Sequence, residues 1–513
     1  MEANRSKYRI ENYRFTELED TVILPSFQRK LVWSKNEKKN FIETLHNGYP
    51  FGAILVYRYP NEKKISLIDG LQRFTTIRDF RDHPQEYIPI NHIIDRTFTL
   101  FTNQDTPVST ATNYKNRIEK ILKDFIRTLN TSTKSTALLD ALLENLSDLS
   151  TAINNNIREI LDIQDDLSSL IKDYLDISQI DIPTIIFTGS DTELATVFEN
   201  LNRGGKKLSK YQVFAAQWYK YEVTLSADLP NNVELLTRTI TWYEKLEDDR
   251  GIEIENFDPD KMRDEAKINI AELCFAFGQM ILEATPVFWR GAKDDAANEI
   301  GYSTMAIILG IKNKDLSTII AEINLSLFNN PKLVEETIKS VLTIYRDINA
   351  LFQNYLHTPG NLTDFKYALG TNFQILSFFA SLWNTGYELN PNRTSLQTKR
   401  GSNKDCNLIK NNLLKWYISD IVEGYWSGTG DSKLDLIAIE KNNKYLNAVS
   451  TENINNSLKK WYDEQLQKRS INFEATAKML YTINASFDST SYTETSYDLE
   501  HVIPKKLINQ IPG

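Results

Sequence analysis

Cysteine is scarce in this chain, and the cysteines that occur lie far apart. The 513 residues contain two, Cys274 and Cys406, and neither belongs to a C-x-x-C pair. This spacing excludes a disulfide framework and argues against a zinc site built from thiolates. We expect both thiols to be packing residues in the interior.

A long apolar run and a positive net charge are also missing. No hydrophobic stretch approaches membrane-spanning length, and the first five residues, MEANR, lack the apolar core of a signal peptide. These absences predict a cytoplasmic protein with no membrane partner. The formal net charge of -9 argues against a protein that coats nucleic acid indiscriminately. Local basic segments such as Arg393–Lys404 are compatible either with phosphate contacts or with a solvated loop.

The composition is that of a folded globular protein. Hydrophobic residues make up 41% and charged residues 25% of the chain, which excludes a disordered protein. A chain of 513 residues is long enough for two to four domains with sizeable cores.

The pattern of residues 65–77 is typical of a strand, an abrupt turn and a helix. Ile65–Ile68 is an apolar run of strand length, Asp69-Gly70 is a turn or helix-start pair, and apolar residues then recur at helical spacing. Gln72 and Arg73 therefore fall in the first helical turn. That turn carries unpaired backbone N–H groups and the positive end of the helix dipole, so it suits a phosphate or another anion.

The same residues allow a plainer interpretation. In a surface helix, Asp69 is an N-cap and Arg73 is solvated, and residue types alone favour this interpretation because short motifs often recur by chance. In the anion-binding interpretation, Arg73 adds a charge-assisted contact, Gln72 adds an amide donor, and Gly70 lets the ligand approach the backbone.

Three motifs resemble those of one protein family. Residues 69–73 (DGLQR) resemble the DGQQR signature of the GmrSD-type restriction proteins. Residues 25–34 (PSFQRKLVWS) are similar to the family motif P-x-[YF]-Q-R-x-[YF]-x-W-[ST], and residues 198–209 (FENLNRGGKKLS) to F-x-x-[LI]-N-x-G-G-x-x-L-[ST]. Three motifs in family order are more specific than any single motif. Leu71 departs from the pattern, which usually has a second Gln there, and this change bears on ligand selectivity.

The resemblance implies a ParB/sulfiredoxin-like N-terminal domain that binds a nucleoside triphosphate, with GTP favoured. The double glycine of the third motif is either a helix C-cap with a turn or a phosphate-binding backbone. Gln28 and Arg29 either touch the ligand or brace the Asp69 turn. The nucleotide-binding residues that the resemblance implies are Gln28, Arg29, Asp69, Gly70, Gln72, Arg73, Asn202, Gly204 and Gly205.

The last motif, residues 497–505 (YDLEHVIPK), resembles the [DE]-H-[IV]-[IVL]-P opening of HNH nucleases. The resemblance implies that His501 is a general base and Glu500 a Mg²⁺ ligand. An imidazole can take a proton from water, and an oxygen ligand can hold a divalent cation on the scissile phosphate. Family HNH folds continue to an Asn and a helix that complete the metal site. Since the chain stops at Gly513, we expect an incomplete metal site and a weak or inactive nuclease in this polypeptide.

The predicted fold class is α+β, with three parts. Residues 1–220 form the nucleotide-binding domain, with a helical insertion at about 113–180; residues 221–486 are mostly helical; and residues 487–513 begin the HNH (ββα-metal) module. Plain helix packing explains the insertion better than a coiled coil does. Candidate strands are Ala53–Arg58, Ile65–Ile68, Thr97–Phe101 and Ile180–Phe187. Candidate helices include one after the Ser34–Glu37 capping box and Met262–Glu283, Pro331–Leu356, Asn407–Val422, Ile454–Gln467 and Glu474–Asn484.

Three functions are compatible with these patterns. The first is a defence endonuclease in which a nucleotide-binding, NTP-hydrolysing sensor domain controls an HNH nuclease that acts on modified or phage DNA. The second is a nucleotide-gated DNA-binding or regulatory protein without nuclease activity. The third is a helical interaction protein with no nucleotide affinity. The sequence leaves open the preferred nucleotide, the DNA modification and the oligomeric state, including a homo-oligomer.

Overall fold

The chain divides into two compact units. Unit 1 comprises residues 1–201 and 247–256, and unit 2 comprises residues 202–246 and 257–513. The computed structural model describes residues 6–25, 33–59, 63–102, 108–129, 133–190, 193–194, 196–197, 200, 211, 214–215, 218–219, 221–289, 294–313, 325–358, 361–428, 430–467 and 474–487.

Unit 1 contains a five-stranded mixed sheet. The strands are β1 (Tyr8–Arg14), β2 (Val22–Ile23), β3 (Ile54–Tyr57), β4 (Ile65–Asp69) and β5 (Asp181–Phe187). Their order is β1-β5-β3-β4-β2. β5 pairs antiparallel with β1 and parallel with β3, whereas β4 pairs antiparallel with β3 and parallel with β2. The sheet therefore combines strands that come before and after a long helical stretch of the chain. β5, β3 and β4 are its inner strands, and β1 and β2 are its edges.

Eight helices accompany this sheet in the described part of unit 1. α2 begins with the capping box predicted from the sequence, in which Ser34 Oγ accepts from the Glu37 N–H and Glu37 accepts from the Ser34 N–H. Phe15 of α1 and Phe74 of α3 meet in the core with ring centroids 5.1 Å apart. The helices are α1 (Phe15–Glu19), α2 (Lys35–His46), α3 (Leu71–Asp82), α4 (Asn91–Phe101), α5 (Val108–Thr128), α6 (Ala137–Asn145), α7 (Ser150–Asn155) and α8 (Ile157–Tyr174).

The predicted strand Thr97–Phe101 is wrong, because these residues form the end of helix α4. The alternation of polar and apolar residues in this five-residue window suggested a strand. Over the full helix, however, Ile93, Ile94, Thr97 and Phe101 are buried at spacings of three and four, which defines one helical face. A window of five residues was too short to distinguish the period of a strand from that of a helix.

Unit 2 is built mainly of helices, with two small antiparallel strand pairs. β6 (Glu222–Thr224) pairs with β7 (Lys267–Asn269), and β8 (Tyr387–Leu389) pairs with β9 (Leu396–Thr398). The helices are α9 (Pro230–Arg250, whose last four residues belong to unit 1), α10 (Pro259–Glu265), α11 (Ile270–Ala284), α12 (Asp294–Leu309), α13 (Pro331–Leu356), α14 (Asn372–Gly386), α15 (Asn403–Val422), α16 (Gly430–Ala438), α17 (Thr451–Leu466) and α18 (Glu474–Ser486).

The predicted helix Met262–Glu283 is in fact interrupted. α10 ends at Glu265, its C-cap residue Ala266 adopts the left-handed conformation with φ 49°, and β7 then pairs with β6. A capping box between Asn269 and Glu272 starts α11. Apolar periodicity continues across the break, so the interruption was not evident without the Asn-x-x-Glu signal.

α11 and α12 cross at very short range. A Cβ atom added to Gly278 would lie 1.9 Å from the Ala297 backbone oxygen, and one added to Gly301 would lie 1.8 Å from the Cys274 backbone oxygen. Cys274 is fully buried at this crossing, as expected, whereas Cys406 is only half-buried. Small residues therefore set the distance between these two core helices.

The observed architecture confirms the α+β fold class. A mixed sheet with helices makes up unit 1, and helices dominate unit 2. Within the described ranges, no helix combines the length and apolar character needed to cross a membrane.

Candidate functional site

The turn between β4 and α3 is as the sequence predicts. Ile65, Leu67 and Ile68 of β4 are buried, and α3 begins at Leu71 directly after Gly70. Gly70 has φ 103°, and a Cβ atom there would lie 2.4 Å from Ile54 Cγ2 on β3. Both the backbone conformation and the lack of space therefore require glycine at this position.

Helix α3 starts without a side-chain cap. Gly70 is the N-cap residue, and no side chain accepts a hydrogen bond in the capping position. The first i to i+4 bond of the helix runs from the Phe74 N–H to the Gly70 oxygen at 2.9 Å. The preceding N–H groups of the first turn have no acceptor within the helix itself, and they carry the positive end of its dipole.

The guanidinium of Arg73 is fixed against this turn. Its Nη2 donates to the Ala53 oxygen at 2.8 Å and to Asp69 Oδ2 at 3.0 Å. The side chains of Arg73 and Asp69 are 23% and 29% exposed, so the ion pair is neither fully solvated nor sealed. Asp69 is therefore the partner of Arg73 and not an N-cap of α3.

Part of the Arg73 guanidinium has no partner. Its Nε is buried and makes no hydrogen bond within the described part of the chain. Gly52 lies beside Nη1, since a Cβ atom at Gly52 would be 3.4 Å from that nitrogen. A buried donor without an acceptor costs about 1–3 kcal/mol.

Gln72 connects two of the sequence motifs. The residue is 6% exposed, and its Oε1 accepts from the Trp33 N–H at 3.0 Å. Trp33 belongs to the first motif and Gln72 to the second, so the structure brings these motifs together. The carbonyl end of Gln72 is therefore occupied by the backbone of the first motif.

A second ion-pair network holds α3 at its other end. Lys38 Nζ lies 2.7 Å from Asp79 Oδ2, and the Tyr87 hydroxyl donates to the same oxygen. Burial of Asp79 tends to raise its pKa, but the hydrogen bonds from Lys38 and Tyr87 outweigh burial and hold the pKa below its usual value. Asp79 therefore remains charged. It connects α3 to α2 through Lys38 and to the segment that follows α3 through Tyr87.

The other predicted site residues lie outside the described residues. Gln28 and Arg29 of the first motif, Asn202, Gly204 and Gly205 of the third motif, and Glu500 and His501 of the HNH motif all fall there. In the portion of the chain with described coordinates, no group of three or more His, Cys, Asp or Glu side chains could hold a metal ion.

Two contributors to the site were not predicted from the sequence. The Ala53 backbone oxygen holds Arg73, and Gly52 leaves room beside its guanidinium. A glycine directly before a predicted strand could have signalled close approach of another group. The Ala53 contact depends on strand pairing, which the local sequence does not encode.

Comparison with known proteins matches part of the chain to one family. Residues 10–219 match the family model described as GmrSD restriction endonuclease, N-terminal domain. This segment is similar to that family, which confirms the resemblance predicted from the three motifs. No match was found among curated proteins or among solved structures.

Proposed function

We propose that this chain is a restriction protein of antiphage defence in which a nucleotide-binding domain controls an HNH-type endonuclease. The N-terminal domain binds a nucleoside triphosphate at the β4–α3 turn and hydrolyses it, with GTP favoured by the family resemblance. The nuclease requires Mg²⁺ and acts on modified or phage DNA. The observation that carries the proposal is the guanidinium of Arg73, which is fixed beside the first turn of α3 and has a buried Nε without an acceptor among the described residues.

The turn offers an anion two kinds of attraction. The first-turn N–H groups of α3 provide oriented donors, and the helix dipole adds positive potential. Arg73 adds a charge that is already held in place by Asp69 and Ala53, so little side-chain entropy is lost when a phosphate binds. Because Gly70 has no side chain, a phosphate oxygen can come close to the backbone.

Two further motifs are proposed to complete the nucleotide site. Gln28 and Arg29 of the first motif are proposed to contact the ligand or to brace the turn. Asn202, Gly204 and Gly205 are proposed to contribute backbone and amide donors, as in phosphate-binding loops. These assignments rest on the family resemblance.

His501 and Glu500 are the proposed nuclease residues. His501 takes a proton from the attacking water, whose oxygen forms a bond to phosphorus while the bond to the leaving sugar oxygen breaks and that oxygen takes a proton from solvent. Glu500 would hold a Mg²⁺ ion, which would supply charge stabilisation for the scissile phosphate. An imidazole next to a carboxylate is a suitable donor set for this chemistry.

The alternative function is a nucleotide-gated DNA-binding protein without nuclease activity. The same nucleotide site supports it, since nothing in the β4–α3 turn requires strand cleavage. The two functions differ in their products and not in their ligands.

The nucleotide site is tested by calorimetric titration of the full chain with GTP, ATP and CTP. We expect Arg73→Ala to weaken triphosphate binding at least about tenfold, because a charge-assisted contact of 1.5–3 kcal/mol is lost. Arg81→Ala is the matched control, since Arg81 lies on the same helix and pairs with Glu19 at the surface. No heat with any of the three nucleotides would overturn the proposal and favour an interaction protein.

The nuclease is tested with modified phage DNA, Mg²⁺ and the preferred nucleotide. Scission that is lost in His501→Ala supports the endonuclease. Nucleotide binding and a DNA gel shift without scission support the alternative.

A further inference from the structure

β1 is the longer of the two edge strands of the unit 1 sheet. It has seven residues, Tyr8–Arg14, and pairs with β5 on one side, whereas the other edge strand, β2, has two residues. Among the described residues, no strand pairs with the outer edge of β1. Its sequence, YRIENYR, contains no proline, a residue that often protects an edge strand from pairing. β1 is therefore open to a further strand.

The hydrogen bonds to β5 show which backbone groups of β1 face the open edge. The Thr188 N–H donates to the Lys7 oxygen at 2.8 Å, and the register between the two strands continues without a break along β1. In an antiparallel pair, every second residue bonds to the neighbouring strand and the residues between them turn their N–H and C=O groups to the other side. The backbone donors and acceptors of Tyr8, Ile10 and Asn12 therefore point to the open edge.

Two apolar side chains lie exposed along this edge. Tyr8 is 53% exposed and Ile10 is 66% exposed. Both project from the same face of the sheet, because successive residues of a strand alternate between its faces. Exposed apolar side chains beside an open backbone edge are typical of a strand that pairs with another chain.

The other face of β1 carries two opposite charges in a fixed order. Arg9 precedes Glu11 by two residues, and Arg9 Nε lies 3.0 Å from Glu11 Oε1. Their side chains are 54% and 38% exposed, so both can also contact a neighbouring strand. An antiparallel copy of β1 has the same two charges in the reverse order.

A second copy of β1 is complementary to this edge when the two strands are centred on Ile10. Arg9 of each copy then lies opposite Glu11 of the other, and Ile10 lies opposite Ile10. The outward backbone groups of Tyr8 meet those of Asn12. Side chains directly opposite each other have Cβ atoms about 4.5–5.5 Å apart, so both charged pairs attract across the contact.

Charge disfavours three of the other symmetric registers. Centring the two copies on Arg9 or on Glu11 places that residue opposite itself. Centring them on Tyr8 places Arg9 opposite Lys7. Like charges directly opposite each other destabilise a strand pair.

The remaining register is centred on Asn12 and needs the Arg14 N–H at the edge. That group already donates to Glu17 Oε2 at 3.2 Å, where helix α1 begins. We infer that a second copy of this chain docks on β1, antiparallel and centred on Ile10, so that the two sheets join across a two-fold axis. Such a contact uses the same edge of both copies and therefore closes at a dimer. The inference does not depend on nucleotide binding or DNA cleavage.

Charge reversal tests this arrangement in sedimentation equilibrium of the full chain, for which we expect a dimer at micromolar concentrations. Arg9→Glu and Glu11→Arg should each raise the dimer dissociation constant about tenfold or more, because each places like charges opposite each other across the axis. An equimolar mixture of the two variants should restore the dimer, since an acidic strand then faces a basic one. The contact between Arg9 and Glu11 within one strand cannot explain that recovery.

Arg127→Glu is the matched control for charge reversal. Arg127 is also an exposed arginine that pairs with an acidic residue of its own element, Asp124 on α5, at 3.1 Å. Its reversal should leave the dimer unchanged.

Ile10→Pro tests the backbone contact. It removes an N–H that faces the open edge and does not bond to β5, so the sheet should keep its fold in circular dichroism while the dimer weakens about tenfold or more. Ile10→Val keeps the N–H and the β-branched side chain, and it should leave the dimer nearly unchanged.

Four results would overturn the inference. A chain that stays monomeric at high micromolar concentrations would leave the edge to a strand of another protein. Assemblies that grow beyond a dimer would show that the contact is not two-fold. A dimer that survives all the β1 variants would place the interface elsewhere, and a mixture no tighter than its separate components would exclude the pairing of Arg9 with Glu11 across the axis.

Discussion

Arg73 and Asp69, four residues apart, form an ion pair across the β4–α3 turn with 3.0 Å between Nη2 and Oδ2. The pair connects the last residue of a strand to the first turn of a helix. It fixes the guanidinium where the helix start presents its N–H groups. The turn is therefore already arranged for the anion that we propose it binds.

A double-mutant cycle should reveal this pair. We expect Asp69→Ala and Arg73→Ala to be coupled by about 1 kcal/mol in the free energy of unfolding, since both side chains are mostly buried. Chemical denaturation of the four proteins measures the coupling. Additive effects would mean that the two side chains do not interact in solution.

Gly70→Ala should destabilise unit 1 by about 2–4 kcal/mol, because alanine resists φ 103° and its Cβ would overlap Ile54. The melting temperature is the measurement. Gly48→Ala is the matched control, since Gly48 also has positive φ but open space around it, and we expect about 1 kcal/mol there. Equal losses in the two variants would contradict the packing argument.

Gly278→Ala should be among the most damaging single changes in unit 2. Its Cβ would lie 1.9 Å from a backbone oxygen of α12, which cannot rotate away as a side chain can, so we expect a loss of about 3 kcal/mol or more. Gly386→Ala is the comparison, because its Cβ would only make an ordinary contact with Cys406 Sγ at 3.6 Å. Circular dichroism melts of the two variants test this prediction, and a stable Gly278→Ala protein would refute it.

Glu272 should make stability depend on pH. Full burial raises its pKa from 4.5 to about 7, although hydrogen bonds from Tyr243 and Asn269 act in the opposite direction. The folded state then holds the proton more tightly than the unfolded state. The bound proton stabilises the folded state fully below pH 4.5, and this contribution is lost as the pH rises to about 7. The free energy of unfolding should fall by about 3 kcal/mol over this range.

Denaturation between pH 4.5 and 8 measures this effect, and Glu272→Gln should remove it. Glu283→Gln provides a control of opposite sign on the same helix. The hydrogen bond from Arg238 holds the pKa of Glu283 below its usual value, so its contribution is lost as the pH falls. If Glu272→Gln leaves the pH profile unchanged, the proton is bound elsewhere.

Local signals were sufficient for several elements. The capping box at Ser34, the strand from Ile65 and the helix after Gly70 all follow from residue types within a few positions, and the structure contains each of them. Pro331–Leu356 also has the predicted bounds, because Asn330 caps its start and proline occupies its first position. These elements carry their start signals in their own sequence.

Other features depend on distant partners. The Arg73 contact with Ala53 exists because β3 and β4 pair, and the α10–β7 break exists because β7 pairs with β6. The Arg73 contact has no local sequence signature, and the local sign of the break is the capping box between Asn269 and Glu272. The candidate site was therefore predicted as a turn but not as a set of contacts.

β5 lies between β1 and β3 and supplies the parallel neighbour of β3. During synthesis on the ribosome, β3 and β4 emerge long before β5, so one edge of β3 stays open while the helices α3–α8 are made. Such delayed, long-range strand pairing slows folding and exposes a strand edge to other chains. A nascent chain halted before Asp181 would therefore be prone to aggregation, because β3 would lack its parallel neighbour.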